Sequence, residues 1–115
     1  LETNKHYEFS PNWFFDEKNY SIYSDISLFN LTKREAVFFK MLVDNRVVTY
    51  EEMKEELWIG VEDLTKNAIS LFVRNFRKKL PSKILNNFTG IGYKLMIYNE
   101  SRIIRNKQIL NHLGL

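Results

Sequence analysis

The stretch Thr65-Lys66-Asn67-Ala68-Ile69-Ser70-Leu71-Phe72-Val73-Arg74-Asn75-Phe76-Arg77-Lys78-Lys79-Leu80 holds five cations and no acid, in a chain whose formal net charge is only +3. At roughly 100° per residue, Ile69, Phe72, Val73, Phe76 and Leu80 fall on one side, while Asn67, Ser70, Leu71, Arg74 and Lys78 fall on the other. The spacing predicts a helix from about Thr65 to Leu80, closed by Pro81, with an apolar face to pack and a cationic face left open. A run of charge is most often just a solvated face. What surrounds this one decides its meaning.

Upstream, two segments open with the same cap chemistry. In Thr32-Lys33-Arg34-Glu35 and again in Thr49-Tyr50-Glu51-Glu52, a Thr side chain and a Glu three residues on can satisfy two orphan N–H groups reciprocally. The first opens a helix with Glu35, Phe38, Phe39 and Leu42 on one face, ending near Asp44-Asn45. An extended Arg46-Val47-Val48 leads to the second, where Tyr50, Met53 and Leu57 share a face and Trp58 and Gly60 close the element. Val61 to Leu64 reads as a loop, with Asp63 or Thr65 as the next cap. Downstream, Ile84 to Phe88 and Tyr93 to Tyr98 read as a hairpin about Thr89-Gly90-Ile91-Gly92, whose two glycines are expected to supply positive φ.

Farther upstream the period is that of strands. Tyr7-Glu8-Phe9, Trp13-Phe14-Phe15, Tyr20 to Tyr23 and Ile26 to Phe29 are rich in aromatic and β-branched residues, with Ser10-Pro11-Asn12 and Asp16-Glu17-Lys18-Asn19 as turns. The fold class is therefore α+β: an N-terminal sheet, three helices and a hairpin. Residues 1–98 form one domain. Residues 99–115, with partial apolar spacing in Ile103, Ile104, Leu110 and Leu113, are an extension that reads equally as a docked helix or a tail.

The totals agree with one packed domain and exclude several classes of function. The 115 residues are 44% hydrophobic and 15% aromatic, enough for a core without staples. The absence of Cys removes disulfides, thiolate metal sites and a Cys nucleophile, and suits a reducing cytoplasm. No apolar run approaches the roughly 20 residues of a spanning helix, and no signal-peptide pattern opens the chain; a start at Leu1 is expected of a fragment of a longer protein. His6 and His112 lie near opposite ends, so no metal cluster is expected. Glu51, Glu52, Glu55 and Glu56 around Lys54 read as a solvated helix face rather than an acid/base pair. Gly90-Ile91-Gly92 lacks the Lys-Ser/Thr and the helix of a phosphate loop. Trp13, Trp58, Phe38 and Phe39 read as core. Neither an enzyme nor a cofactor is expected.

Two short capped helices, a basic helix and a glycine-turn hairpin make a helix-turn-helix with a wing, in which the third helix enters the DNA major groove and the hairpin tip reaches the backbone. There Arg pairs with guanine, Asn with adenine, and an apolar side chain such as Leu71 touches a thymine methyl.

Leu31-Thr32-x-x-Glu35-x-x-Phe38-Phe39-x-x-Leu42, Thr49-x-Glu51-Glu52-Met53-x-x-x-Leu57-Trp58, Val73-Arg74-Asn75-Phe76-Arg77-Lys78-Lys79-Leu80 and Gly90-x-Gly92-Tyr93-Lys94 together resemble the C-terminal DNA-binding domain of OmpR/PhoB-type response regulators, over about residues 5 to 97. The resemblance implies a winged helix-turn-helix with an N-terminal four-stranded antiparallel sheet, three helices and a C-terminal β-hairpin wing. It implies double-stranded DNA as partner: Asn67, Ser70, Leu71, Arg74 and Asn75 facing bases or nearby phosphates, Arg77 and Lys78 holding phosphates, and Thr65 and Lys66 offering a phosphate site at the helix N-terminus. The wing of this family often carries Arg just before its Gly-x-Gly-Tyr. Here that position is Thr89, and Asn75 stands where a second Arg is common; Lys94 is the available partial substitute.

The loop Gly60, Val61, Glu62, Asp63 corresponds to the segment that meets RNA polymerase in similar proteins, with capping of the third helix by Glu62 or Asp63 as the competing expectation. The resemblance also implies a homodimer on direct repeats, formed through a receiver domain absent here, acting in the cytoplasm. The reading from another class is a winged-helix module that binds an acidic protein partner, which the Thr89 and Asn75 departures favour.

Overall fold

A computed structural model describes residues 6–44 and 47–96, so the expectation of a docked helix or tail over 99–115 lies outside the described residues. The chain opens with four strands, β1 (His6–Ser10), β2 (Trp13–Asp16), β3 (Ser21–Tyr23) and β4 (Leu28–Asn30), in an antiparallel meander of order β1-β2-β3-β4. A register shift between Glu8 and Ser10 bends β1 against β2, and Asn12 turns the chain at φ 65 with its N–H donating to Glu8 Oε2 at 3.0 Å.

The second turn differs from expectation. Tyr20 belongs to the turn, at φ 50, not to β3. Asp16 organises the turn by accepting from both the backbone N–H (3.2 Å) and the side-chain amide (2.8 Å) of Asn19. Ile26 likewise lies outside β4, in a bend closed by Ser24 N–H on Ser27 O, and is fully open to solvent.

Helix α1 (Lys33–Val43) follows, with the Thr32–Glu35 capping box formed in both directions. It is the centre of the molecule because its two adjacent Phe residues face different layers. Phe39 packs on Phe9 (4.8 Å between centroids) and Phe15 (4.6 Å) of the sheet. Phe38 packs on Phe72 (5.5 Å) and Phe76 (5.4 Å) of the third helix and on Tyr93 of the wing (6.3 Å).

After β5 (Val48–Thr49), the Thr49–Glu52 box opens α2 (Tyr50–Leu57). Arg34 closes that helix from outside. Its Nε–H donates to Leu57 O at 2.7 Å while its guanidinium lies 4.8 Å over the Trp58 ring, so one cation satisfies an orphan carbonyl at the end of the helix where positive charge is favoured.

Helix α3 (Lys66–Arg77) is shorter at its C-terminus than the periodicity predicts. Lys79 N–H bonds to Phe76 O and Leu80 N–H to Arg77 O, the tighter pattern that ends a helix, and Pro81 disfavours helical geometry at the residue before it.

The wing is larger than a hairpin. β6 (Leu85–Phe88) and β7 (Gly92–Leu95) pair, and β5 adds to the other edge of β7, giving the order β5-β7-β6. Gly90 has the expected positive φ of 80, but Gly92 does not. Gly92 is required for another reason: a Cβ there would stand 2.0 Å from Val48 O and 2.7 Å from Thr49 Cα, so the close β5–β7 approach has no room for a side chain.

Candidate nucleic-acid interface

The candidate interface is built on α3 because its two faces separate cleanly. Thr65 caps it, accepting from Ala68 N–H at 3.1 Å. Ile69, Val73 and Phe76 are buried and Phe72 half-buried, so the inward face is held in the core, with Phe72 and Phe76 against Phe38 of α1 and Phe72 against Trp58. Lys66, Asn67, Ser70, Leu71, Arg74, Asn75, Arg77 and Lys78 are all exposed. Among the described residues, none of Lys66, Arg74, Arg77 and Lys78 takes part in an ion pair. The first turn of α3 contains no acid, so no carboxylate of the helix itself offsets the positive end of its dipole.

Lys79, the fifth cation of the segment, is different. Its ammonium turns inward and donates to Glu35 Oε1 at 2.7 Å and to Asn30 O at 2.8 Å. Glu35 is only 4% exposed, and its carboxylate also accepts from Thr32 N–H at 2.9 Å. The ion pair therefore joins the end of α3 to the capping box of α1, and Lys79 positions the basic helix rather than adding to its open face.

On the helical wheel the exposed side chains form three bands. Asn67, Leu71, Arg74 and Lys78 make the crest, with Leu71 49% exposed. Lys66, Ser70 and Arg77 flank it on the side of the wing, and Asn75 flanks it on the other. Lys66 and Ser70 line one groove with Tyr50, Glu51 and Lys54 of α2 and Asn87, Thr89 and Gly90 of the wing. Tyr50 Oη–H donates to Asn87 Oδ1 at 3.0 Å across it. The Tyr93 hydroxyl is pushed above its ordinary range by burial, with Tyr50 adding to the effect and the nearby positive charge of Arg77 opposing it. The phenol therefore stays neutral at neutral pH.

The structure thus brings Thr65, Lys66, Ser70 and Thr89 to one side of the molecule. Lys94 is separated from them: it pairs with Asn86, whereas Asn87 pairs with Tyr93, and strand alternation places these two pairs on opposite sheet faces. Tyr50, Lys54 and Asn87 are the surface residues that sequence periodicity missed, because only the pairing of the wing with β5 carries them to the groove.

The loop between α2 and α3 is set by Gly60 at φ 79 and by Val61 N–H on Trp58 O. Glu62 and Asp63 are exposed, and neither caps α3; Thr65 does. The capping expectation for those two acids is therefore overturned. Ile59 and Val61 beside them are also exposed.

The model of the family "Transcriptional regulatory protein, C terminal" matches residues 27–95, which run from the last strand of the first sheet to the end of the wing. This chain belongs to that family. The family is one of transcription regulators and not a class of enzymes. The chain is 33% identical over 67 residues to the transcriptional regulatory protein QseB of Escherichia coli O157:H7, covering 56% of this chain and 31% of the relative. It spans about a third of the length of the curated relatives it matches.

Among solved structures, the DNA-binding domain of the response regulator AdeR in complex with an intercistronic region superposes with a TM-score of 0.62 at 26% identity, covering 76% of this chain and 97% of that one. The response regulator DrrB, an OmpR/PhoB homologue of Thermotoga maritima, superposes at 0.65 with 20% identity, covering 78% and 43%. The fold of the family is the winged helix-turn-helix expected from the motifs. No helix among the described residues is long and apolar enough to cross a membrane, and none of their side chains gather into a group of three or more His, Cys, Asp or Glu that could hold a metal ion.

Proposed function

We propose that this domain reads double-stranded DNA by sequence as the output half of a two-component response regulator, with α3 in the major groove and the wing against the adjacent minor groove or backbone. One observation carries the reading: Lys66, Arg74, Arg77 and Lys78 stand open and unpaired on a helix whose opposite face is locked into the core. A helix of ordinary diameter fits the major groove, where Arg74, Asn67 and Leu71 on the crest meet base edges. Lys66, Arg77, Asn75 and Lys78 hold the flanking phosphates, which set register and orientation. Thr65 and the free N–H groups beside it receive a phosphate at the helix N-terminus. Ser70 and Thr89 face the DNA across the groove they share, and Lys94 serves the outer strand from the far face of the wing.

The unit that does this is residues 1–98, with 99–115 an extension. A receiver domain would pair two copies on direct repeats in the cytoplasm, and the exposed Gly60-Val61-Glu62-Asp63 loop would present two acids to RNA polymerase.

The test is a titration of labelled duplexes at several salt concentrations, comparing a duplex enriched from a random pool with an unselected one. DNA reading predicts that affinity falls steeply with salt and that the enriched duplex binds tighter by roughly a thousandfold or more. Equal binding of all duplexes overturns sequence reading and favours an acidic protein partner for the same face.

A further inference from the structure

The wing ends in a turn that exposes two large apolar side chains. Phe88 is 39% and Ile91 54% exposed, on either side of Thr89-Gly90. Both are fixed in place. Ile91 N–H donates to Phe88 O at 2.8 Å, and Ile91 O accepts from Tyr50 N–H at 3.0 Å, which ties the tip to the first residue of α2. Opposite Phe88 stands Gly92, which has no side chain to cover the ring. Neither residue belongs to the buried core, so the fold closes without them.

The tip is also neutral: from Ile84 to Tyr93 there is no Lys, Arg, Asp or Glu. Thr89 and Gly90 line the same groove as Lys66 and Ser70 of the cationic helix, while Phe88, one register step from the Asn87–Tyr93 pair, lies on the Lys94 face of the hairpin, so the tip is apolar on the side turned away from that groove. In the proposed reading α3 lies in the major groove and the wing lies against the adjacent minor groove or backbone. An uncharged tip adds nothing to phosphate attraction there. Exposed Phe and Ile can act in a different way, by wedging against base steps, partly unstacking them and kinking the duplex.

We infer that Phe88 and Ile91 form an apolar wedge by which the wing enters the minor groove and selects sequences that kink easily. The inference rests on the proposed DNA reading and adds a second source of specificity to it. Helix α3 reads base edges directly, while the wedge reads deformability and favours flexible pyrimidine–purine steps one groove away. Both side chains are neutral, so the wedge contributes affinity without contributing to the salt dependence.

The test uses the full chain, a duplex enriched from a random pool by that chain, and the same duplex labelled at both ends so that bending is read by energy transfer. The double variant Phe88→Thr with Ile91→Thr is expected to bind the enriched duplex about tenfold more weakly, with an unchanged slope of log affinity against log salt and with less bending. Phe88→Leu with Ile91→Leu is expected to keep both. Ile91→Thr alone changes an exposed turn residue and gives a smaller effect of the same kind should the double variant unfold. Unchanged affinity and bending in folded Thr variants, with the enriched duplex still preferred and still sensitive to Arg74→Ala, overturn the wedge alone. A wild-type chain with no preference among duplexes overturns the DNA reading and the wedge with it.

Discussion

Arg74 and Lys78 sit one turn apart on the crest of α3, yet they are expected to do different things. Arg74→Ala should cost about 1 to 3 kcal/mol of binding and relax preference at one base position, whereas Lys78→Ala should weaken all duplexes alike and lower the salt slope by about one; binding curves on single-base variants of an enriched site separate the two. Lys79 looks like a third member of this group in sequence and is not. Lys79→Met should leave the buried Glu35 carboxylate without its ammonium and lower stability by roughly 3 kcal/mol or more, seen as a drop in the denaturant midpoint without DNA. Asp16 gives a test by pH. Partial burial raises its pKa, but the donors from Asn19, together with His6, hold the carboxyl below its usual 3.8. A depressed folded pKa contributes stability that is present above the unfolded value and lost as pH falls through the folded one. The stability gap between the native chain and Asp16→Asn should therefore be full at neutral pH and close below about pH 3.8, as followed by thermal melts across that range.

Among the elements, the helices were the most legible in sequence. The first two begin at the Thr that their cap chemistry picks out, Thr32 and Thr49, and the third begins at Thr65, one of the two caps its sequence leaves open. A cap is a local hydrogen bond, and four consecutive residues suffice to show it. The ends were less legible, because α3 stops where backbone bonds tighten before Pro81 rather than where apolar spacing stops. Strand limits failed for a related reason. Tyr20 and Ile26 are good strand formers, but the turn geometry around them prevails over propensity. The wing was least legible. Gly92 reads as a turn glycine until β5 is laid beside β7, and only then does the 2.0 Å clearance to Val48 O explain it. Gly92→Ala should force these two backbones apart and cost about 2 kcal/mol or more. It should also loosen the tip that Tyr50 anchors, and hydrogen exchange at Ile91 and Tyr50 would report this.

For the whole molecule, α1 lies between two layers that share no strand, and Phe38 with Phe39 is the joint. Phe38→Ala removes contacts to Phe72, Phe76 and Tyr93 together and should lower stability by about 3 to 5 kcal/mol. DNA affinity at temperatures where the variant stays folded should also fall, because α3 and the wing lose their common support; melts and titrations on one preparation compare the two effects. The amino-acid sequence by itself determined the order of strands and helices, the caps of α1 and α2, the apolar core positions and the cationic open face of α3. All of these follow from the period and chemistry of neighbouring residues. Only the tertiary structure decided that Lys79 is withdrawn into an ion pair, that Glu62 and Asp63 leave the capping of α3 to Thr65, that Lys94 lies across the wing from the groove, and that Tyr50 and Asn87 meet 37 residues apart. Those outcomes depend on which distant segments are brought into contact, and no local periodicity encodes that.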